Sequence, residues 1–203
     1  MAKRLFDIAG AAVALLVLAP LLLFVALRIK LDSPGPVFFR QVRVGRHGEH
    51  FRIHKFRTMV HGGPAAQGLL ITVGADPRIT RAGAWLRRTR IDELPQLIDV
   101  LQGTMSLVGP RPEVPRYVAH YPATLRDRVL AVRPGITDPA SLLGLNESAL
   151  LAQAADPERE YIERLLPAKL QNSADYAEQA SLRSDVAVLW RTARRLLAPE
   201  HKH

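Results

Sequence analysis

Residues 8–27 read IAGAAVALLVLAPLLLFVAL, and this stretch decides what kind of protein the chain forms. It runs for 20 residues without a charged side chain. As an α-helix it would be about 30 Å long, which is the thickness of the hydrocarbon core of a bilayer. A core helix is seldom so long, and a cleaved signal peptide has a shorter apolar run with a small-residue site behind it. We therefore predict a membrane helix.

The flanking charges do not say whether this helix crosses the bilayer. Lys3 and Arg4 precede it and Arg28 and Lys30 follow it, so the positive-inside rule finds no asymmetry between its ends. Pro20 lies inside the run, where it removes a helical hydrogen bond and predicts a kink. The residues alone leave two topologies open: a spanning helix that tolerates its proline, and a re-entrant helix with both ends in the cytoplasm.

The composition predicts one folded domain behind this helix. The chain has 203 residues, of which 48% are hydrophobic and 23% charged, enough for a compact core. It has no cysteine, which excludes disulfides and thiolate metal sites. The net charge of +9 predicts attraction to nucleic acid, anionic lipid or phosphorylated substrates. We predict a membrane helix over 1–30 and a membrane-docked cytoplasmic domain over 31–203.

The predicted fold class of this domain is α/β, mostly helical and irregular, with a small β-hairpin. Extended segments end at Arg43 and run over 51–57, and the glycines of 45–48 reverse the chain between them. Residues 61–76 are rich in Gly and Ala and predict a mobile loop. Apolar spacing predicts a helix from 79 to about 90.

Prolines and caps divide the rest of the chain into helices. Proline is tolerated only in the first turn of a helix, so Pro95 predicts a helix that begins near Asp92, and Gly103 predicts its end. A further helix is expected around 125–132. Asp156 is a good N-cap for a long helix. Three more features complete the expectation: Pro157 at the first position of that helix, a bend at Pro167, and an interfacial helix over 181–198.

An acidic pair stands at one of these helix starts, in RIDELPQL at 90–97. Capping alone would explain Asp92 and Glu93, since acids near a helix N-terminus contribute about 0.3 to 1 kcal/mol. The neighbouring basic residues favour phosphate chemistry instead, because Arg88, Arg90 and the proline-flanked Arg111 are forks that bind phosphate. Carboxylates beside such forks suit Mg²⁺, which takes one or two of them together with substrate phosphates.

Five ordered motifs carry a resemblance to a known family. They are PGPVFFRQVRVG at 34–45, KFRTM at 55–59, DELPQL at 92–97, MSLVGPRP at 105–112 and RPGIT at 133–137. With the apolar segment before them, they resemble the bacterial sugar transferase family, the monotopic phosphoglycosyl transferases. The resemblance implies an enzyme that moves a sugar 1-phosphate from a UDP-sugar to polyprenol (undecaprenyl) phosphate, with Mg²⁺. It also implies a covalent phosphosugar intermediate and the release of UMP.

The same resemblance implies a role for each matching residue. Asp92 would be the nucleophile and Glu93 its partner, both near the metal, while Lys55 and Arg111 would complete the catalytic core. The substrate-binding candidates are Arg88, Arg90, Arg133 and Thr137. The segment RPGITDPASLLGLNE at 133–147 is a candidate for nucleotide or sugar contacts, although packing alone would also explain it.

The membrane segment of the family is re-entrant, so the resemblance favours that topology around Ala19 and Pro20. Three departures limit the transfer. Ala19 stands where the family usually has serine, Thr104 where it commonly has aspartate, and Ser173 where one branch has a further functional aspartate. The kink at Pro20 therefore lacks a nearby hydroxyl group, and two acidic groups are missing.

Location and partners follow from the same interpretation. We expect the cytoplasmic face of the bacterial inner membrane, contact with membrane lipid, no nucleic-acid partner and, as one option, a homodimer. Two other functions stay open: a membrane-anchored basic module that only binds lipid or nucleic acid, and a lipid phosphatase with a spanning helix. No motif identifies the sugar or the glycoconjugate that is made.

Overall fold

The computed structural model describes residues 1–62, 71, 76–140 and 147–197. A long N-terminal helix is followed by a mostly helical domain with two small sheets. The elements are α1 Ala2–Asp32, β1 Phe38–Val44, β2 His50–Phe56, α2 Arg81–Thr89, α3 Gln96–Gln102, β3 Ser106–Val108, α4 Pro115–Val118, α5 Ala123–Val129, β4 Gly135–Thr137, α6 Glu147–Ala152, α7 Pro157–Glu160, α8 Leu166–Gln179 and α9 Leu182–Leu197. The expectation of a mostly helical fold with one hairpin is confirmed. The predicted loop at 61–76 lies largely outside the described residues.

Helix α1 is the one helix in the described part of the chain that is long and apolar enough to cross a membrane. It is continuous through Pro20. One side packs on the domain: Ala11 meets the cluster around Leu97, and Val25 meets the cluster around Phe56. The other side is exposed over its whole length, at Leu5, Val13, Leu16, Val17, Leu23, Phe24, Leu27 and Leu31. Those side chains need an apolar surrounding that water does not provide.

The first turns of α1 are tied to the domain by polar contacts. Lys3 forms an ion pair with the buried Asp185 of α9 and donates a hydrogen bond to Val108 O. Arg4 donates to Val100 O at 2.7 Å. Asp7, which is buried, accepts from Ser106 Oγ at 2.9 Å. The N-terminal charged side chains are therefore bound to this domain.

The last turn of α1 is tied to the same domain. The guanidinium of Arg57, just after β2, donates to Ser33 O at 2.7 Å and also to Pro34 O. Asp32 accepts from the backbone N–H of Ala82 in the first turn of α2 at 3.0 Å. Both ends of the apolar helix thus contact one folded unit.

The predicted hairpin is present. Strands β1 and β2 pair antiparallel from Phe38 opposite Phe56 to Val44 opposite His50. A short 3-10 turn at Arg46–Gly48 joins them, with His47 and Gly48 at positive φ. The glycines that predicted this reversal therefore lie where the chain turns.

A second sheet was not predicted. Strand β3 pairs in parallel with β4, with Ser106 opposite Gly135 and Val108 opposite Thr137. The strands lie close because one of them carries glycine: a Cβ on Gly135 would lie 2.0 Å from Gly109 N. Because parallel strands end at the same edge, this pairing brings the turn after β3 next to the turn after β4.

The helices after residue 156 differ in part from the expectation. Asp156 caps α7 as predicted, since its side chain accepts from the backbone N–H groups of Glu158 and Arg159. The long helix is not a single α-helix bent at Pro167. A π-helical turn at Tyr161–Leu165 precedes α8, and Pro167 occupies the first turn of α8, where its missing N–H costs little.

Candidate active site

The acidic pair lies in a tight connection between two helices. Helix α2 ends at Thr89, and the next residue, Arg90, adopts a left-handed conformation with φ 58°. A 3-10 turn at Ile91–Glu93 follows, and Pro95 precedes the first residue of α3. Asp92 and Glu93 are 2% and 7% exposed. Buried carboxylates require charged or hydrogen-bonding partners, so this pair is more than a surface cap.

The partners are the two basic residues that the sequence pointed to. The ammonium of Lys55, on β2, lies 2.9 Å from Asp92 Oδ2 and 3.3 Å from Glu93 Oε1. Arg111, in the turn after β3, donates from Nη2 to Glu93 Oε1 at 2.7 Å. Three separate segments of the chain thus bring Lys55, Asp92, Glu93 and Arg111 together.

The charged groups of this cluster shift one another's pKa values. Burial by itself would raise the pKa of Glu93, but the charges of Arg111 and Lys55 outweigh it and hold that pKa well below its usual range. Glu93 raises the pKa of Arg111 in return. Both groups are therefore ionised at neutral pH.

Asp92 differs from Glu93 in one respect. Its Oδ2 faces Lys55, whereas its Oδ1 is buried and has no hydrogen-bond partner among the residues that the structure describes. A buried oxygen without a partner is costly unless a ligand satisfies it. This atom is therefore a candidate contact for a ligand.

The carboxylates also fit a magnesium ion as the sequence suggested. No group of three or more acidic or histidine side chains that could hold a metal occurs among the residues described by the structure. Mg²⁺ does not need such a group, because it commonly takes one or two carboxylates and completes its shell with water and substrate phosphates. The carboxylates of Asp92 and Glu93 are side chains of that kind.

The four predicted substrate-binding residues lie in different places. Arg90 is 3.7 Å from Glu93 Oε1, while Arg88 is exposed on α2. Arg133 donates from Nε to Gly103 O at 2.8 Å, at the opposite end of α3 from the acidic pair. Thr137 is the last residue of β4. The structure thus brings Arg90 to the cluster and gives Arg133 a contact at another place.

Most residues beside Arg111 were not singled out by the sequence analysis, which named Ser173 and included Asp138 only within the segment 133–147. A small cavity next to Arg111 is lined by the charged or polar residues Glu113, Tyr121, Asp138, Lys169 and Ser173. Asp138 is 3% exposed, and burial raises its pKa although Lys169 and Arg111 oppose the shift. Only the parallel pairing of β3 with β4 would have revealed that Asp138 lies beside Arg111.

The departures from the family pattern also have defined places. Ser173 is buried on α8 and lines that cavity. Thr104 makes a contact of its own, since its hydroxyl donates a hydrogen bond to Asp99 O at 3.1 Å near the end of α3. Pro20 has Ala19 before it inside a continuous α1.

The pattern of the bacterial sugar transferase family matches residues 1–199, and the chain belongs to this family. It is similar to the exopolysaccharide production protein PSS of Rhizobium leguminosarum bv. phaseoli, with 48% identity over 70% of this chain and 74% of that protein. It is 38% identical to the UDP-glucose:undecaprenyl-phosphate glucose-1-phosphate transferase of Caulobacter vibrioides, over 99% of this chain and 72% of that protein.

A third relative carries a different sugar in its name. The UDP-N-acetylgalactosamine-undecaprenyl-phosphate N-acetylgalactosaminephosphotransferase of Aeromonas hydrophila is 39% identical over 96% of this chain, which spans 43% of that protein. The family match and these relatives confirm the prediction that the chain is a phosphoglycosyl transferase. Because the named relatives differ in their sugar, kinship does not identify the donor.

Proposed function

We propose that this protein transfers a sugar 1-phosphate from a UDP-sugar to undecaprenyl phosphate and releases UMP, as the first membrane step of a bacterial glycoconjugate pathway. The observation that supports it is the cluster in which the buried Asp92 and Glu93 bind the partly exposed Lys55 and Arg111, in a chain of this family. Related proteins are named for the same transfer. The sugar stays undetermined.

Asp92 is the proposed nucleophile. A carboxylate oxygen attacks the phosphorus that carries the sugar, a bond forms between that oxygen and phosphorus, and the bond to the UMP oxygen breaks. UMP leaves with the electron pair. An oxygen of undecaprenyl phosphate then attacks the same phosphorus, which yields the lipid diphosphate sugar and restores the Asp92 carboxylate. The attacking oxygen is Oδ1, because it has no hydrogen-bond partner among the described residues and can attack without first breaking a hydrogen bond.

The basic residues make this attack feasible. A carboxylate needs no general base at neutral pH, but it must approach a diphosphate of the same charge. Lys55, 2.9 Å from Asp92, reduces that repulsion, and Arg111 is placed to bind the phosphate oxygens. Glu93 holds Lys55 and Arg111 in place.

Magnesium is proposed as the cofactor of this site. Asp92 and Glu93 would hold it together with the donor diphosphate, and it would neutralise phosphate charge when bound. The chain itself supplies the nucleophile, the two cations and the buried setting.

We further propose that α1 enters the membrane from the cytoplasmic face and returns to it. Lys3, Arg4 and Asp7 at one end and Asp32 at the other all bind the same domain. A helix that crossed the bilayer would place these ends on opposite sides, where one domain could not reach both. The domain division at residue 30 and a homodimer remain predictions.

A panel of UDP-sugars tests the proposed function. Purified protein with Mg²⁺ and undecaprenyl phosphate should release UMP from at least one sugar. Without the lipid, the intact protein should gain the mass of one sugar phosphate, on the peptide that contains Asp92. Asp92→Asn should keep its fold and lose both signals by several orders of magnitude.

Other outcomes would contradict this function in different ways. Release of inorganic phosphate from a lipid phosphate, without UMP, would identify a phosphatase. Binding of anionic lipid or nucleic acid with no reaction would identify a binding module. An adduct on Glu93 would move the nucleophile by one residue.

A further inference from the structure

A second buried ionisable pair lies next to the cluster and has no part in the proposed reaction. His54 is the neighbour of Lys55 on β2, and Asp99 lies on α3. His54 is 9% and Asp99 1% exposed. His54 Nδ1 is 2.7 Å from Asp99 Oδ1, and the backbone N–H of His54 donates to Asp99 Oδ2 at 2.8 Å. One carboxylate therefore binds both the ring and the main chain of one residue.

A third side chain determines which ring nitrogen carries the proton. Arg40 Nη1 is 2.5 Å from His54 Nε2. Arginine only donates hydrogen bonds, so Nε2 must be the acceptor. In a neutral imidazole the proton then lies on Nδ1, which donates to Asp99. Both oxygens of Asp99 accept from N–H donors, the His54 ring and the His54 main chain. An asparagine at position 99 would therefore place its NH2 group against one of these donors in either orientation.

The pair joins the two elements that hold the reacting groups. The same strand carries His54 and Lys55, and α3 carries Asp99 directly behind the turn that presents Asp92. The separation of Lys55 Nζ from Asp92 Oδ2, which is 2.9 Å, thus depends on how β2 lies along α3. Apolar contacts such as Ile53 with Leu97 allow small sliding movements, whereas a two-point hydrogen bond does not.

We propose that His54 and Asp99, with Arg40 fixing the ring, are positioning residues that hold Lys55 against the nucleophile Asp92. The effect of these residues on catalysis rests on the proposed function, whereas their effect on the position of Lys55 does not depend on it. Neither residue touches the reacting atoms. A displacement of about 1 Å at a reacting centre can cost on the order of 100-fold in rate, so a loosened pair should reduce turnover without removing any catalytic group.

The first readout is independent of turnover. Lys55 should react slowly with an amine-acylating reagent, measured by peptide mass spectrometry, because Asp92 and Glu93 hold its ammonium. Asp99→Asn and His54→Ala should raise its modification rate about 10-fold relative to other lysines. His54→Asn, whose amide can still donate to Asp99, should stay near the native rate. Equal rates in all variants would overturn the proposal.

The second readout uses a compensating change. In Asp99→Asn, the rate of UMP release at saturating donor should fall about 10- to 100-fold while KM for the UDP-sugar stays within about threefold. Adding Arg40→Leu frees Nε2 to carry the proton, so that Nδ1 can accept a hydrogen bond from the introduced amide and much of the rate should return. Asp127→Asn, an exposed change on α5, is the matched control.

The two proposals fail in different ways. In one outcome, Lys55 is protected in the native protein and loses this protection in Asp99→Asn, but no donor releases UMP. That outcome contradicts the proposed function and supports the positioning of Lys55. A loss of rate in Asp99→Asn that Arg40→Leu does not relieve, or that appears as a rise in KM, overturns the positioning role. So does a native protein in which nitrogen NMR finds the His54 proton on Nε2.

Discussion

Asp92 and Glu93 are adjacent in sequence but have different surroundings. A single oxygen of Glu93, Oε1, lies within 3.7 Å of Lys55, Arg90 and Arg111. In Asp92, by contrast, Oδ1 has no hydrogen-bond partner in the described part of the chain. A carboxylate whose oxygen is bound by several cations is a poor nucleophile, because its charge is already neutralised. The residue with the unsatisfied oxygen is the better one. This difference supports the roles that we propose for Asp92 and Glu93.

Arg111 offers a test of geometry against charge. Pro110 and Pro112 restrict the backbone on both sides, and Nη2 is already bound to Glu93 at 2.7 Å. Arg111→Lys keeps the positive charge and loses the planar fork, so we expect turnover to fall at least 10-fold with little change in stability. UMP release and thermal unfolding in detergent measure the two effects. Near-native turnover would reduce Arg111 to a general attractor of anions.

Glu93 should make stability depend on pH. Its pKa in the folded protein is lowered from a usual value of 4.5, so its contribution is complete above about pH 4.5 and is lost as the pH falls further. Glu93→Gln should therefore destabilise the protein most at neutral pH. The difference in unfolding temperature between native protein and variant should shrink in acid. A difference that grows as the pH falls would show that Glu93 is protonated in the fold.

At the scale of elements, the parallel pair of β3 and β4 places two charged turns side by side. Gly135→Ala would put a Cβ 2.0 Å from Gly109 N and 2.6 Å from Val108 C. Because these neighbours are backbone atoms, the two strands would have to move apart. We expect the unfolding free energy to fall by about 1 to 3 kcal/mol or more. UMP release should also fall, because Arg111 and Asp138 would shift.

Gly10→Ala is the matched control for this change. Its added Cβ would meet the tip of the Leu107 side chain at 2.8 Å, which can move. We expect it to be much milder than Gly135→Ala, because alanine also favours the helix. Unfolding in the same detergent compares the two variants, and equal stability of both would mean that the strands do not need this close approach.

The elements that the sequence predicted are those with a local signal. Gly103, at φ 89°, ends α3, and Asp156 caps α7. The pairing of Val108 with Thr137 was missed, because strands of three residues have no readable period and their register depends on the whole fold. The cluster at Asp92 was predicted from motifs, whereas Asp99 and Asp138 were missed because their partners are distant in sequence.

At the scale of the whole molecule, exposed apolar side chains occur on more than one element. Besides α1, the helix α9 exposes Leu182, Val186 and Trp190, and Arg191 and Arg194 are exposed on the same helix. Such a pattern is typical of a helix that lies in a membrane interface. Since Asp185 of α9 also binds Lys3 of α1, the two helices that expose apolar side chains are joined.

The proposed topology predicts a defined labelling pattern. The chain has no cysteine, so Ala2→Cys introduces a single thiol at the first residue of α1 and Pro36→Cys introduces one just after its last residue. In intact cells neither should react with a membrane-impermeant maleimide, and both should react after the membrane is permeabilised. Reaction of the Ala2→Cys variant in intact cells would mean that α1 crosses the bilayer.

The attachment of both ends of α1 to one domain has a mechanical consequence for the membrane. On the proposed topology, the exposed leucines of α1 add volume to the cytoplasmic leaflet and none to the opposite one. Such one-sided insertion acts as a wedge, which lateral tension in that leaflet opposes and convex curvature favours. Vesicle diameter should therefore change how much of this protein a membrane takes up, with small vesicles favoured over large ones of the same lipid.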